Sequence, residues 1–175
     1  MNKTIRILSA IALLFCANVC RASDGFGAVR CGSDIAKALI GRTMSNEPVA
    51  AIEQRNRQLG LKDLGGSEIS DSLFLVSWKI CGDEFALLEE KDVVRDVLKF
   101  PRHSRDSPES IGTCRRNGKE MDETIIAVLE NRAGTEDLPA NAAWKIDEAQ
   151  KRFVKLSVEG LLCPRDGVIT TDGGR

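Results

Sequence analysis

The chain has no tyrosine, and among its 175 residues there is a single histidine, His103. Histidine leads the side chains used for proton transfer and tyrosine is another of them, so general acid–base chemistry has one imidazole to draw on. Also lacking are a P-loop, a dinucleotide fingerprint, a G-x-S-x-G elbow and an H-E-x-x-H pair. These absences set aside the phosphate-loop enzymes, the dinucleotide enzymes, the α/β-hydrolases and the zincins. No C-x-x-C pair occurs either, and with one histidine a zinc site built on thiolates or several imidazoles is not expected. No metal, no cofactor and no catalytic residue is expected from the sequence.

What is present begins with the N-terminus. Lys3 and Arg6 precede an apolar stretch from Ile7 to Ala17, and Cys20 and Ala22 are small residues at positions −3 and −1 of a cut after Ala22. A basic start, a short apolar core and small residues at the cut are what signal peptidase reads. Residues 1–22 are therefore expected to be a cleaved signal peptide, with the mature chain starting at Ser23. The stretch is too short for a membrane span, which takes roughly 20 apolar residues. A lipoprotein anchor is rejected because Phe15 and Val19 stand before Cys16 and Cys20 where a small residue belongs.

Cleavage leaves Cys31, Cys81, Cys114 and Cys163. An even number of cysteines in an exported chain predicts disulfides. Four cysteines allow three connectivities and the sequence does not choose among them. We lean toward Cys31 with Cys81 and Cys114 with Cys163, which pairs each half with itself. Each bridge would close a loop of about 50 residues and contribute about 4 kcal/mol by chain entropy.

Loss of Lys3, Arg6 and Arg21 leaves the mature chain with a net charge of about −4, too acidic for a general nucleic-acid binder. Residues 23–175 have the length of one domain with a real hydrophobic core.

Along that domain the pattern is helical first and β afterwards. Ser33 is placed to cap a short helix bearing Ile35, Ala38 and Leu39 that Gly41 stops, and a second helix fits Pro48 to Leu59 before Gly60. Phe74, Val76, Trp78 and Ile80 alternate with Leu73, Leu75, Ser77 and Lys79 as a strand whose aromatic face is the better buried. A turn at Cys81-Gly82-Asp83 leads to a return strand over Glu84 to Leu88, and the valines of Val93 to Phe100 favour another strand that Pro101 ends. Asn117-Gly118 marks a type I′ hairpin within Cys114 to Met121. Thr124 to Leu129 reads as a central strand covered on both faces, Trp144 to Asp147 with Phe153 to Ser157 as a further hairpin, and Val168 to Thr170 as a last strand before a loose tail. The predicted class is α+β: two short N-terminal helices packed on a mostly antiparallel sheet of hairpins, stabilised by disulfides.

Candidate site residues are few. His103 lies between Pro101 and Pro108 with Ser104 and Asp106 nearby, but a triad needs rigid elements to assemble it, and a solvated loop histidine is the plainer reading. Carboxylate pairs such as Glu89 with Asp92 and Asp83 with Glu84 carry little information in a chain with 26 acids. Arg102, His103 and Arg105 on this loop, with Arg115, Arg116 and Lys119 on the Asn-Gly hairpin, would form a basic patch for an acidic protein or polyanionic partner if the two segments meet in space. Acids beside them would neutralise it otherwise.

The eleven residues Cys31-Gly-Ser-Asp-Ile-Ala-Lys-Ala-Leu-Ile-Gly41 resemble the opening of small exported bacterial protease inhibitors of the potato-inhibitor-I type. The resemblance implies an inhibitor and carries over no inhibitory residue, because the chain has no match to the inhibitory loop. Three functions follow in order: an exported, non-catalytic binding or envelope-associated module, an inhibitor of a secreted hydrolase, and a small hydrolase of unrecognised type.

Overall fold

The computed structural model describes residues 25–104, 106–165 and 168–169. The expected signal peptide, Arg105 and the tail from residue 170 lie outside them. The described chain is mostly β, with twelve strands and two short α-helices. No helix among these residues is long and apolar enough to cross a membrane.

Two short helices open the fold. In α1 (Ile35–Leu39) the N-cap is Asp34, whose carboxylate accepts from the Lys37 N–H at 3.0 Å. Ser33, expected to cap, instead donates to the Arg30 carbonyl. The second helix, α2 (Val49–Arg55), stops short of Leu59 because the Asn56 amide turns back to the Ile52 carbonyl; a 3-10 turn, Arg57–Leu59, continues to Gly60, whose φ of +57° ends it. Leu39, Ile52 and Leu59 are buried.

Strands β1 (Lys62–Ser70), β2 (Leu73–Ile80), β3 (Asp83–Glu90) and β4 (Val93–Lys99) form an antiparallel meander in that order. The helices cover one face of it, where Trp78, Ile80, Phe85, Leu87 and Val94 pack with Phe26, Val29, Ile35, Leu39, Ile52 and Leu59. The aromatic face of β2 is buried at Trp78 and Ile80 as expected, whereas Phe74 at its far end is exposed. Its other face is buried as well, at Leu73 and Leu75. The reason is a second sheet, which the single-sheet α+β expectation lacked.

That sheet contains β5 (Glu109–Gly112), β6 (Arg115–Arg116), β7 (Lys119–Glu120), β8 (Ile125–Leu129), β9 (Asp137–Asp147), β10 (Arg152–Lys155), β11 (Leu161–Pro164) and β12 (Val168–Ile169). The order is β12-β5-β8-β9-β11-β6-β7, and β10 pairs with the C-terminal end of β9. All five residues of β8 are buried, as a doubly covered central strand requires. Ile126 and Val128 face the first sheet, meeting Leu73, Leu75, Ala86, Leu88 and Phe100. Ile125, Ala127 and Leu129 face away, into a core with Leu138, Ala143, Leu161 and the sulfurs of Cys114 and Cys163. The layers thus run helices, first sheet, second sheet.

Disulfides join Cys31 to Cys81 and Cys114 to Cys163, with Cα atoms 5.5 Å and 4.3 Å apart. Each closes within its own half, and such bonds suit an oxidising compartment.

Candidate functional site

The chain crosses from the first sheet to the second once, through residues 100–108. His103 sits on this crossing and its side chain is 8% exposed, not the solvated loop histidine that the sequence suggests. Its Nε2 lies 3.3 Å from a carboxylate oxygen of Glu84, at the start of β3, and 3.6 Å from one of Glu109, the first residue of β5. Its Nδ1 faces the Pro101 carbonyl at 3.4 Å, and the Phe100 ring stands edge-on to the imidazole at 5.5 Å. Phe100 is buried because it follows β4 into the space between the sheets, where Trp144 is its neighbour at 6.4 Å.

Local sequence explains the placement. Alternation along β3 sends Phe85 and Leu87 to the helices and Ala86 and Leu88 to the second sheet, so Glu84 falls on the inter-sheet side at the rim. Glu109 follows Pro108, whose carbonyl accepts from the Leu129 N–H, and this sets the start of β5 against β8. Burial pushes the Glu109 carboxyl above its ordinary value; His103 pulls it back and Glu84 adds to the push.

Glu84 separates two spaces. Inside lies a cavity of about 30 Å³ lined by Leu64, Ser77, Phe85, Ala86, Phe100 and Glu109, large enough for a water or a monatomic ion. Outside lies a cleft of about 310 Å³ bounded by Gly82, Asp83, Phe100, Pro101, Arg102 and His103. Glu84, His103 and Glu109 bring ligand atoms of one imidazole and two carboxylates within 4.8 Å of one another.

Nothing in the sequence pattern reveals this constellation, because its carboxylates are not adjacent to each other or to the histidine in the chain. Glu84 lies 19 residues before His103 and Glu109 six residues after it, and the packing of two sheets joins the three. Of the carboxylate pairs close in the chain, Asp83 is bound to Lys99 at 2.6 Å, and Asp92 repels the buried Glu89.

Arg102 is exposed at the cleft, while His103 is withdrawn into the carboxylate cluster. Arg115, Arg116 and Lys119 lie on the β6–β7 hairpin, with β8, β9 and β11 between it and β5 in the sheet order. Arg115 pairs with Asp137 at 3.2 Å, and Arg116 donates to the Ser157 carbonyl at 2.7 Å. The arginines on the hairpin hold their own sheet.

Ser104 does not face His103 as a nucleophile would. Its hydroxyl accepts from the Asp106 N–H at 3.2 Å, and its backbone exchanges hydrogen bonds with Ser107 at 2.9 and 3.1 Å. Cys31, Cys81, Cys114 and Cys163 are all in disulfides.

No family model matches the chain, and neither does any curated protein or solved structure.

Proposed function

We propose that this chain is an exported, non-catalytic binding module that meets a partner through the 101–108 loop and the cleft beside it. The observation that carries the reading is how the loop is held. At its base His103 reaches a carboxylate from each sheet, and at its tip Ser104 and Ser107 close a tight turn through two backbone hydrogen bonds. A loop fixed at both places loses little entropy on binding, and preorganisation of this kind raises affinity without added contact area. Two disulfides make the scaffold suited to an oxidising compartment, which supports export together with the signal-peptide pattern. Arg102, exposed on the loop, favours an acidic protein or another polyanion as the partner.

The same pinned loop favours inhibition of a secreted hydrolase as the second reading, since a stiff exposed loop is what such an inhibitor presents. Catalysis by a serine or cysteine nucleophile has no support in the geometry around His103.

Affinity capture from the exported fraction of the source cells, followed by titration of the captured protein, tests the reading. The expected result is one-to-one binding that weakens on Arg102→Glu. If the captured protein is a hydrolase whose activity falls to zero at one equivalent, the inhibitor reading replaces the first. Turnover of peptide, ester or glycoside substrates by the purified chain, lost in His103→Ala, would overturn both.

A further inference from the structure

We infer that Glu84, His103 and Glu109 form a binding site for one divalent transition-metal cation of the zinc type, at the seam between the two sheets. The inference goes beyond the binding-module reading and does not depend on it. Three separate observations carry it.

The first is spacing. Metal–ligand bonds of about 2.0–2.2 Å in a tetrahedral arrangement hold donor atoms roughly 3.3–3.6 Å apart. The Nε2 of His103 is 3.3 Å from the Glu84 oxygen and 3.6 Å from the Glu109 oxygen. All three donor atoms lie within 4.8 Å of one another, so side-chain adjustment is needed to bring them to this spacing around a cation.

The second is the orientation of the imidazole. Its Nδ1 faces the Pro101 carbonyl, an acceptor for an N–H on Nδ1, and its Nε2 is directed at the carboxylates. Metal-bound histidines are held in this way, with the remote N–H donated to a carbonyl or carboxylate that fixes tautomer and angle.

The third is charge. Among the described residues His103 is the cationic side chain within ion-pair distance of Glu84 and Glu109, while Lys79 stands opposite Glu84 in the β2–β3 register. With both carboxylates ionised, one imidazole facing them leaves net negative charge at the cluster. The side chains of His103 and Glu109 are only 8% and 9% exposed, and buried charge without a counter-charge is costly. A divalent cation supplies what is missing.

Ligand chemistry narrows the choice. Imidazole with carboxylates suits zinc and its neighbours, whereas copper(I) selects the thiolates that the disulfides have consumed. Calcium takes six to eight oxygens, more than this cluster offers. Because Glu84 belongs to the first sheet and Glu109 to the second, the cation would also tie the two sheets together. Its remaining coordination position opens on the cleft beside Arg102, where a water or a donor group from a partner can enter.

The test uses the full oxidised chain, stripped of metal by chelator and dialysis, then titrated with zinc chloride by calorimetry and weighed intact under native conditions. The expected result is one Zn²⁺ per chain with a Kd of about 10⁻⁶ M or tighter, reversed by EDTA. His103→Gln and Glu109→Gln should each weaken binding at least about tenfold while keeping both disulfides and the far-ultraviolet spectrum. Cobalt(II) in place of zinc should give a visible absorption that His103→Gln abolishes. Glu84→Gln, at a partly exposed position that tolerates the change, must show the same loss even if the Glu109 variant does not fold. Absence of binding up to about 100 μM zinc overturns the inference, as does binding of equal strength in the wild type and the three variants.

Discussion

Residues 25–100 and residues 106–169 each hold one sheet and one disulfide, yet the two sheets are assembled in opposite ways. In the first, every pairing joins neighbours in sequence, and the turns at 71–72, 81–82 and 91–92 take two residues each. In the second, the last strand, β12, lies beside the first, β5, and the β6–β7 hairpin sits at the far edge. Closing long loops costs entropy before the contacts they permit are made, so the first sheet should form early and the second should lean on covalent help. The disulfides differ accordingly. Cys31 is exposed on a loop, whereas Cys114 and Cys163 are 1% and 0% exposed within the second core. One bond fastens a layer from outside, and the other is part of the core it stabilises.

Reduction tests this contrast with the largest expected effect. Each bond closes a loop of about 50 residues, so full reduction should remove about 4 kcal/mol per bond in the chain-entropy account and lower the melting temperature markedly. Under mild reductant Cys31–Cys81 should open first, because thiol exchange needs access to a sulfur. Alkylation and mass mapping over time would show the order. Simultaneous labelling, or Cys114 and Cys163 appearing first, breaks the proposed distinction between the two halves.

Trp78→Ala should come next, at about 3 to 5 kcal/mol for removal of a buried large aromatic. The ring is 4% exposed and meets Phe26 edge-on at 5.1 Å, where the helices rest on the first sheet. Urea denaturation checks the value, and a loss below about 1 kcal/mol would mean that the helical layer contributes little to the first half.

The same contrast explains what could be read from the sequence. In the first half the alternation from Leu73 to Ile80 and the tight turns specify both the strands and their partners, because nearest neighbours pair. Strand β1 was missed because Gly65, Gly66 and the serines beside them give Lys62–Ser70 no alternating apolar signal. In the second half the Asn117-Gly118 turn and the apolar run of β8 were legible, being local. Strands β5 and β11 and the first half of β9 were not, since their partners lie far off in the chain and Pro139 and Pro164 break the β signal within β9 and β11. The His103 cluster was hidden for a related reason. Glu84 and Glu109 look like any other surface acids until two sheets close over them.

Glu89 offers a smaller effect confined to the first half. Burial, with Asp92 nearby adding to it, pushes its carboxyl up to about 7. Between the ordinary value near 4.5 and that of about 7 the folded chain keeps a proton that the unfolded chain gives up. Stability from this group is therefore complete below the lower value and is lost as pH rises through the higher one. At about 1.4 kcal/mol per unit, Glu89→Gln should stabilise the protein by about 2 to 3 kcal/mol at pH 8 and show no such gain at pH 4. Parallel denaturation of wild type and variant across that range gives the difference curve. A flat curve would place the carboxylate in solvent and remove it from the buried side of β3.

The smallest predicted effect compares one turn from each half. Asn117 and Gly118 adopt φ of 51° and 78°, and Lys91 and Asp92 adopt 50° and 63°, so both hairpins turn through two left-handed residues. Of these two turns only the one at 117–118 places a glycine there, as the Cys81-Gly82 turn of the first half also does. An L-residue in this region costs about 1–2 kcal/mol, against roughly 0.5–1 kcal/mol of extra chain entropy that a glycine loses on folding. Asp92→Gly should therefore stabilise the protein by about 0.5 to 1 kcal/mol, and Gly118→Ala should destabilise it by about 1 kcal/mol with no steric contact to blame. The Asp92 carbonyl that receives the Met44 N–H is retained in the variant. Removing the Asp92 charge also lowers the Glu89 value, so the gain from Asp92→Gly should grow above neutral pH and shrink in acid. A gain that does not vary with pH would assign it to backbone strain alone, and a loss at every pH would show that the Asp92 side chain holds the turn.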